Sequence, residues 1–277
     1  GFAAGLDKNG EYIDCLAALG VGFIEIGTVT PKAQPGNKKP RLFRDINNKS
    51  ILNRLGFNNK GVDRIVKNIK ARKSYIPIGI SIGKNFDTSN ENACQDYKIC
   101  MEKVYEFSSY IAINISSPNT QDLRKLSGEV YLDSLLSELK KVQSELSLNF
   151  GYRPIFLKIS PDENLKNLEN ICKLILKNKI DGIICTNTTL EHNEKYGEGG
   201  LSGKPLREKS NDTVINVKKF LGDEVPIIAS GGVMSAADYY EKIDCGADLV
   251  QIYTGFIFEG PKLVHDILNK GTRQRKT

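Results

Sequence analysis

The sequence predicts an α/β protein folded as a (β/α)8 barrel, and two observations lead to this prediction. Short apolar runs bounded by turn residues recur eight times along the 277 residues, and helical patterns lie between most of them. The runs are continuous rather than alternating, as expected of parallel strands buried on both faces. Strand and helix alternating eight times in a chain of this length is typical of the barrel. A doubly wound open sheet is the rival, but the Gly-x-Gly-x-x-Gly fingerprint common after a strand in that fold is absent.

Each predicted strand is one of these apolar runs. They are Phe2–Leu6, Gly22–Ile26, Ile76–Ile82, Tyr110–Ile115, Pro154–Ile159, Gly182–Cys185, Val225–Ala229 and Leu249–Tyr253. The apolar residues of the intervening segments recur with a helical period. Helices are predicted over Gly10–Leu19, Gly61–Lys70, Cys94–Phe107, Tyr131–Leu146, Leu165–Lys177 and Ala236–Ile243.

The connection after the second strand is too long for a simple return. From Thr30 to about Tyr75 it carries three closely spaced prolines and then two short turn-and-strand pieces. We expect this insertion to lie over the catalytic end of the barrel, because it leaves from the carboxyl end of a strand. No internal repeat or linker divides the chain, so residues 1–277 are predicted to form one domain.

Composition excludes several classes of protein. The net charge of +6 is spread along the chain without aromatic-basic interleaving, which suits anionic ligands or an anionic membrane surface and argues against nucleic acid. The six cysteines form no Cys-x-x-Cys pair, so neither a zinc site nor a disulfide framework is expected, and a reducing compartment fits. No run reaches the length of a membrane span, and no signal peptide is visible. The basic tail Lys270–Thr277 is predicted to be frayed.

Polar residues follow the predicted strands at their carboxyl ends, where barrels of this class build their active sites. The most concentrated cluster is Asn114-Ile115-Ser116-Ser117-Pro118-Asn119-Thr120. Asparagine amides can read a flat heterocycle with both donors and acceptors, and a serine hydroxyl among them could move a proton. The alternative interpretation is an ordinary Asn/Ser/Pro turn. Other strand ends supply Asp7, Lys8, Thr28, Ser81, Lys84, Asn85, Lys158, Ser160 and Thr186-Asn187-Thr188-Thr189.

Two further features indicate an anionic ligand. Lys8 and Lys158 at a barrel mouth are costly unless they meet anions or an electron-rich ring, although a lone lysine could be a solvated charge or a Schiff-base nucleophile. The ends of the last two strands, Ser230-Gly231-Gly232 and Tyr253-Thr254-Gly255, match the phosphate cradle that such barrels place there. His192 and His265 have no ligand-spaced partner, so neither a metal site nor a Ser-His-Asp triad is predicted.

With these motifs in order, the chain resembles the dihydroorotate dehydrogenases, and more closely their membrane-associated, quinone-reducing class. The resemblance covers nearly the whole chain. It rests on Ala4-Gly5-Leu6-Asp7-Lys8-Asn9-Gly10, Gly27-Thr28-Val29-Thr30-Pro31, Asn53-Arg54-Leu55-Gly56-Phe57-Asn58-Asn59, Asn114 to Thr120, Thr186-Asn187-Thr188-Thr189, Gly199-Gly200-Leu201-Ser202-Gly203 and Gln251-Ile252-Tyr253.

The resemblance implies oxidation of (S)-dihydroorotate to orotate in pyrimidine synthesis, using bound FMN. Ser117 would take the proton from C5 while hydride leaves C6 for the flavin N5. A serine hydroxyl is a poor base without help, so the family suggests a relay through Thr120, with Phe57 excluding water. Serine rather than cysteine at this position favours the quinone class over a soluble class that reduces fumarate or NAD.

The resemblance also implies the residues that bind each ligand. Substrate would be held by Lys8, Asn53, Arg54, Leu55, Gly56, Phe57, Asn114, Asn119, Asn187 and Thr188. FMN would be held by Ala4, Gly5, Lys8, Thr28, Ser81, Asn114, Lys158, Thr186, Gly203, Gly231, Gly232, Tyr253 and Thr254. In the second set Lys158 would stabilise the reduced, anionic flavin electrostatically.

Three departures from the family accompany this match. Family members usually carry asparagine where this chain has Ser81, so that contact is expected to be weaker or water-bridged. The loop Glu191–Glu198 is shorter than usual. The family's amino-terminal helical extension, which docks on the membrane and forms the quinone tunnel, is not seen in this sequence. Peripheral attachment to the cytoplasmic side of the inner membrane, or to the mitochondrial inner membrane in a eukaryote, is therefore an expectation taken from the family.

Two alternatives remain open beside the quinone-reducing enzyme. One is the soluble dihydroorotate dehydrogenase that uses fumarate or NAD, which Ser117 disfavours. The other is a flavin- or pyrimidine-binding barrel without turnover, which Ser81 would allow but an intact Ser117 and its asparagines disfavour.

Overall fold

The computed structural model describes residues 1–119, 123–193 and 197–274, and its main sheet is parallel throughout. The strands in chain order are β1 (Ile24–Val29), β2 (Leu42–Asp45), β3 (Ser50–Asn53), β4 (Ile78–Ile82), β5 (Tyr110–Asn114), β6 (Ile155–Ile159), β7 (Gly182–Cys185), β8 (Gly200–Gly203), β9 (Ile227–Ser230) and β10 (Leu249–Gln251). The parallel sheet has the order β1-β4-β5-β6-β7-β9-β10.

The two edges of this sheet meet at Phe2, which bridges in parallel to Ile24 and to Ile252. The backbone N–H of Ala3 donates to the Ile252 carbonyl at 3.0 Å, and that of Glu25 donates to the Phe2 carbonyl at 2.9 Å. The first strand of the barrel is therefore shorter than the predicted Phe2–Leu6. The chain leaves the strand early because Gly5, with φ +102°, turns the backbone into the barrel mouth.

Helices follow the strands and pack on the outside of the sheet. They are α1 (Ile13–Ala17), α2 (Val62–Ala71), α3 (Ala93–Val104), α4 (Glu129–Phe150), α5 (Leu165–Lys177), α6 (Arg207–Leu221), α7 (Ala236–Asp244), α8 (Thr254–Glu259) and α9 (Pro261–Gln274). The sequence did not predict α6, whose apolar period is interrupted by buried Ser210, Asn211 and Thr213. Residues 270–274 of the predicted frayed tail belong to α9, and 275–277 lie outside the described residues.

Within the described ranges, no helix combines the length and the apolar character needed to cross a membrane.

The barrel interior is built by every second residue of each strand. In β5, Ile111 and Ile113 pack in the main apolar core, while Tyr110 and Ala112 belong to a separate inner cluster with Phe156, Ile184 and Ile228. Tyr110 and Phe156 meet edge to face, with ring centroids 5.2 Å apart. The same alternation carries Asn114 and Lys158 inward, one step nearer the carboxyl ends of β5 and β6. The barrel interior thus has an apolar layer and, next to it at the carboxyl ends of the strands, a polar layer.

The long connection after β1 forms a small antiparallel sheet of the order β2-β3-β8. Its third strand, β8, comes from far along the chain and pairs Asn53 with Gly200 and Leu52 with Leu201. The two turn-and-strand pieces predicted in the insertion correspond to β2 and β3. The sequence did not predict β8, because a four-residue Gly-Leu-Ser-Gly strand has no apolar period to reveal it.

Lys242 in α7 is a charged residue with a fully buried side chain. Its ammonium donates a hydrogen bond to the Ser210 hydroxyl at 2.7 Å, and Ser210 donates to the Ser230 carbonyl at 2.9 Å. Burial lowers the pKa of Lys242 from 10.5 to about 8, because the charged form loses its hydration. The ammonium form is therefore less stable in the folded protein than in the unfolded chain.

We expect the protein to gain stability relative to a Lys242→Met variant as the pH rises from about 8 to 10.5. In that window the unfolded chain keeps a proton that the folded protein has released, so the free energy of unfolding increases with pH. Between about pH 7.5 and pH 10 the gain should be about 2 kcal/mol. Urea unfolding at both pH values measures it, with exposed Lys166→Met as a control that should follow the unaltered protein. Parallel profiles for Lys242→Met and the unaltered protein would contradict the prediction.

Candidate active site

A cavity opens at the carboxyl ends of the barrel strands. It is lined by strand-end residues together with Asn53, Leu55, Gly56 and Phe57 of the long connection. All the residues predicted to bind substrate or cofactor line this cavity except Arg54 and Ser81. Residues scattered over the chain are thus brought to one site because the strands are parallel and end at the same edge.

Arg54 and Ser81 lie next to the cavity without lining it. The Arg54 guanidinium donates to the Glu198 carbonyl at 3.1 Å and stacks over the Phe43 ring at 4.8 Å. Ser81 is fully buried, and its hydroxyl hydrogen-bonds the Thr28 hydroxyl at 2.8 Å. Ser81 therefore reaches the cavity only through Thr28.

The ends of three strands, two of which carry an asparagine, are joined by hydrogen bonds between their side chains. The Asn114 amide donates to the Thr28 hydroxyl at 2.9 Å, and its oxygen accepts from Asn187 at 3.3 Å. Asn187 also donates to the Ser116 hydroxyl at 3.1 Å, while its own oxygen accepts from the Thr188 backbone at 2.8 Å. These bonds fix how the oxygen and the nitrogen of each amide are oriented relative to the cavity. The Thr188 hydroxyl is buried at the wall, with no partner among the described residues.

Ser117 lies at the cavity wall and is 6% exposed. Its hydroxyl oxygen accepts a hydrogen bond from the backbone N–H of Asn119 at 3.3 Å. The Asn119 side chain in turn donates to Asn53 of β3 at 3.0 Å. Ser117 is therefore held between the barrel and the antiparallel sheet. Thr120, its suggested relay partner, lies outside the described residues, as do residues 194–196 of the shortened loop.

Arg124 fastens the serine loop to the neighbouring strand ends, a role that the sequence did not reveal. Its guanidinium donates to the Ser116 carbonyl at 3.2 Å and to the Thr188 carbonyl at 2.9 Å, and it pairs with Asp162 at 2.7 Å. Asp162 also accepts from the Leu190 backbone at 2.8 Å. One ion pair thus ties the loops that follow β5, β6 and β7, and this arrangement is invisible in a single sequence because all its partners are distant.

The cavity lining is positively charged. Lys8 and Lys158 line it, and none of the described lining residues is acidic. Burial, with a smaller effect from the Arg41 charge, lowers the pKa of Lys8 from 10.5 to about 8. Lys158 is 5% exposed, and its ammonium lies 3.6 Å from the carboxylate of Glu25, which is fully buried. An anionic ligand would compensate both lysines.

The cavity ends in a cradle of glycines and hydroxyl groups. Gly231, Gly232, Gly203 and Thr254 line it together. A Cβ on Gly232 would lie 2.3 Å from Arg207 Cα, and one on Gly203 would lie 2.3 Å from the Lys49 carbonyl oxygen. Both glycines have positive φ, so other residues would be strained there as well. The Thr254 hydroxyl hydrogen-bonds that of Ser202 at 2.8 Å. Because these glycines carry no side chains, a phosphate could approach the backbone closely at this end of the cavity.

The histidines take no part in this cavity. The His192 ring contacts the Gly199 carbonyl at 2.8 Å and is half-buried, whereas His265 is exposed. In the part of the chain that the structure describes, no group of histidine, cysteine and acidic side chains could hold a metal ion.

Comparisons with known proteins agree on one family. The family model for dihydroorotate dehydrogenase matches residues 1–273. The dihydroorotate dehydrogenase (quinone) of Vibrio parahaemolyticus is 54% identical over 275 residues, which are 97% of this chain and 82% of the relative. Its counterpart in Buchnera aphidicola is 51% identical with the same coverage.

Solved structures give the same result for the fold. The dihydroorotate dehydrogenase of Eimeria tenella in complex with ferulenol superposes with a TM-score of 0.90 at 34% identity, covering 97% of this chain and 78% of that one. Its ligand-free form gives 0.89 at 36% identity, covering 97% and 82%. The barrel predicted from the sequence is confirmed, and the chain belongs to the dihydroorotate dehydrogenase family, in its quinone-dependent class.

Proposed function

We propose that this protein oxidises (S)-dihydroorotate to orotate in pyrimidine synthesis, with FMN as its cofactor and a quinone as the electron acceptor. One observation carries the proposal. The cavity is lined by two lysines, by Ser117 and by the side-chain amides of Asn53, Asn114, Asn119 and Asn187. None of its described lining residues is acidic. Amides suit the edge of a pyrimidine, and the lysines suit its carboxylate and the anionic parts of a flavin.

The chemistry of the lining residues fits FMN. The cradle of Gly203, Gly231, Gly232 and Thr254 suits its phosphate, and Thr28, Thr186 and the Ala4-Gly5 turn offer polar groups to its ring system. We assign Lys158 to the ring, as a fixed positive charge at the barrel axis. When bound, FMN supplies the acceptor for the hydride that leaves C6 of dihydroorotate.

We assign the removal of the C5 proton to Ser117. Its oxygen accepts from the Asn119 backbone and lies buried at the cavity wall. Because a hydroxyl is neutral, it can take the C5 proton only by passing its own proton to another group. Phe57, 5% exposed at the same wall, limits solvent access. Asn53, Asn114, Asn119, Asn187 and Thr188 would orient the ring and carboxylate of the substrate.

The quinone acceptor implies a lipid surface, because respiratory quinones dissolve in the bilayer. The curated relatives are named for this acceptor. We propose peripheral association with the membrane, and the net charge of +6 would favour an anionic lipid surface.

Anaerobic mixing with dihydroorotate tests the function. The purified protein should be yellow, and its visible flavin absorbance should bleach on addition of dihydroorotate and recover with a short-chain quinone. A yellow protein that dihydroorotate does not bleach would contradict the proposed substrate. A protein that purifies without flavin and binds no added FMN would contradict the cofactor.

Orotate affinity should fall above pH 8 because of Lys8. The lowered pKa means that the folded protein loses the Lys8 ammonium above about pH 8, and with it the partner of the substrate carboxylate. We expect the dissociation constant of orotate to rise about tenfold between pH 7 and pH 9. Titration of the flavin absorbance change with orotate at several pH values measures it.

The matched control for this prediction is Lys8→Met. The variant should bind orotate more weakly at pH 7 and with little dependence on pH. A steep pH dependence that survives in Lys8→Met would assign the titration to another group.

A further inference from the structure

Glu25 is a fully buried carboxylate in the barrel interior, below the cavity and outside its lining. It lies in β1, on the inward side of a strand whose alternate residues Ile24 and Ile26 pack in the outer core. A buried carboxylate is costly unless its oxygens are hydrogen-bonded and its charge is paired. The groups around Glu25 must therefore supply these hydrogen bonds and this opposite charge.

The two carboxylate oxygens of Glu25 are used differently. Oε2 accepts from the Tyr110 hydroxyl at 2.9 Å and from the Gln251 amide at 2.7 Å. Oε1 has no hydrogen-bond partner in the described ranges and lies 3.6 Å from the Lys158 ammonium. Burial and the Glu25 charge raise the pKa of Tyr110 well above its ordinary value, so its hydroxyl remains a donor. Tyr110 and Gln251 thus anchor one oxygen, and the other faces Lys158.

Lys158 separates this carboxylate from the cavity. Its side chain is 6% exposed and lines the cavity, whereas the Glu25 side chain is 0% exposed. Among the described residues, Glu25 is its one ion-pair partner within 4 Å. The charge that a ligand meets at this wall is therefore a lysine with a fixed carboxylate behind it. Loss of the carboxylate would leave an uncompensated ammonium against the ligand.

We propose that Glu25 is a positioning residue that fixes where the Lys158 ammonium lies and, by partly cancelling its charge at the flavin, lowers the reduction potential of the bound cofactor. This inference rests on the function proposed above, with Lys158 at the flavin ring. Reduction adds negative charge to the flavin, so the full field of Lys158 favours the reduced form and the Glu25 carboxylate weakens that field. A lower potential would favour passage of the electrons to the acceptor.

Glu25→Gln is the direct test, because it keeps the shape of the side chain and removes its charge. The reduced-to-oxidised ratio of the bound flavin, measured in anaerobic equilibrium with a reference dye of known potential, should rise about tenfold. For a two-electron couple that corresponds to a potential higher by about 30 mV. If the Glu25–Lys158 ion pair were purely structural, Glu25→Gln would change the stability of the protein but would not change this ratio in the folded, flavin-loaded fraction.

Two further variants test whether Glu25 acts through its charge and through Lys158. Tyr110→Phe removes one hydrogen bond to Glu25 but keeps its charge, so the ratio should stay close to that of the unaltered protein. In a Lys158→Met background, Glu25→Gln should shift the ratio less than it does alone, since only the carboxylate's own field at the flavin is then lost and no released ammonium adds to the effect. If Glu25→Gln does not fold, Glu25→Asp moves the carboxylate away from Lys158 and should shift the ratio in the same direction by a smaller factor.

The possible results separate this inference from the proposed function. Flavin bound to a folded Glu25→Gln variant with an unchanged ratio, or a ratio that falls, would overturn the role of Glu25 and leave the proposed function intact. An equal shift with and without Lys158 would show that Glu25 does not act through the lysine. Absence of flavin from the unaltered protein would instead contradict the proposed function itself.

Discussion

Ser117→Ala is expected to slow the reduction of bound flavin by dihydroorotate by about 10²–10⁴-fold, the usual contribution of a positioned acid or base. The side chain lost is a single hydroxyl at the cavity wall, which accepts only from the Asn119 backbone in the described structure. Its removal leaves the asparagine side chains of the cavity and the glycine cradle in place, so the variant should stay yellow and bind orotate. Anaerobic stopped-flow absorbance of the flavin measures the rate, and a titration with orotate measures binding.

Ser116→Ala is the matched control for this experiment. Ser116 is the adjacent residue and is equally buried, but its hydroxyl does not line the cavity and bonds to Asn114 and Asn187 instead. Its loss should loosen the asparagine network and weaken orotate binding, with a smaller effect on the rate at saturating substrate. Unchanged reduction kinetics in Ser117→Ala would refute its assignment as the base, whatever Ser116→Ala does.

The features that the sequence predicted well are local ones. Asn114 and Lys158 each lie one residue before the end of a predicted strand, and the period of two in a strand places both of them on the side that faces the barrel interior. Parallel strands then bring their carboxyl ends to one edge, which is why residues as far apart as Lys8 and Thr254 line one cavity. Knowledge of the strand order was not needed for this conclusion.

The features that the sequence missed depend on distant partners. Glu25 falls inside an apolar run, and nothing near it in the chain shows that Lys158, Tyr110 and Gln251 compensate its charge. Strand β8 is fixed by pairing with β3, about 150 positions earlier, rather than by its own residues. Arg54 belongs to a motif whose neighbours line the cavity, yet its guanidinium turns away to stack on Phe43. Local pattern cannot give the direction of such a long side chain.

Lys158→Met is expected to weaken the retention of flavin and to slow its reduction by about 10²-fold, the lower end of what removal of one fixed electrostatic partner costs an enzyme. The ammonium is nearly excluded from water, so solvent screens its field at the ligand only slightly, and the Glu25 carboxylate at 3.6 Å offsets that field only in part. Its removal should also leave the Glu25 carboxylate with its hydrogen bonds from Tyr110 and Gln251 but without its ion-pair partner, and should lower the flavin potential, opposite to Glu25→Gln.

Lys242→Met provides the matched control for Lys158→Met, since it replaces another buried lysine, in α7, that does not line the cavity. It should retain flavin and be reduced at nearly the normal rate, which separates the loss of a buried ammonium from its loss at the site. The dissociation constant of FMN, from quenching of its fluorescence, and the anaerobic reduction rate are measured for both variants. Full flavin occupancy with normal reduction in Lys158→Met would show that the lysine has no role in flavin binding or reduction. It would also contradict the proposal that Glu25 acts on the flavin through Lys158.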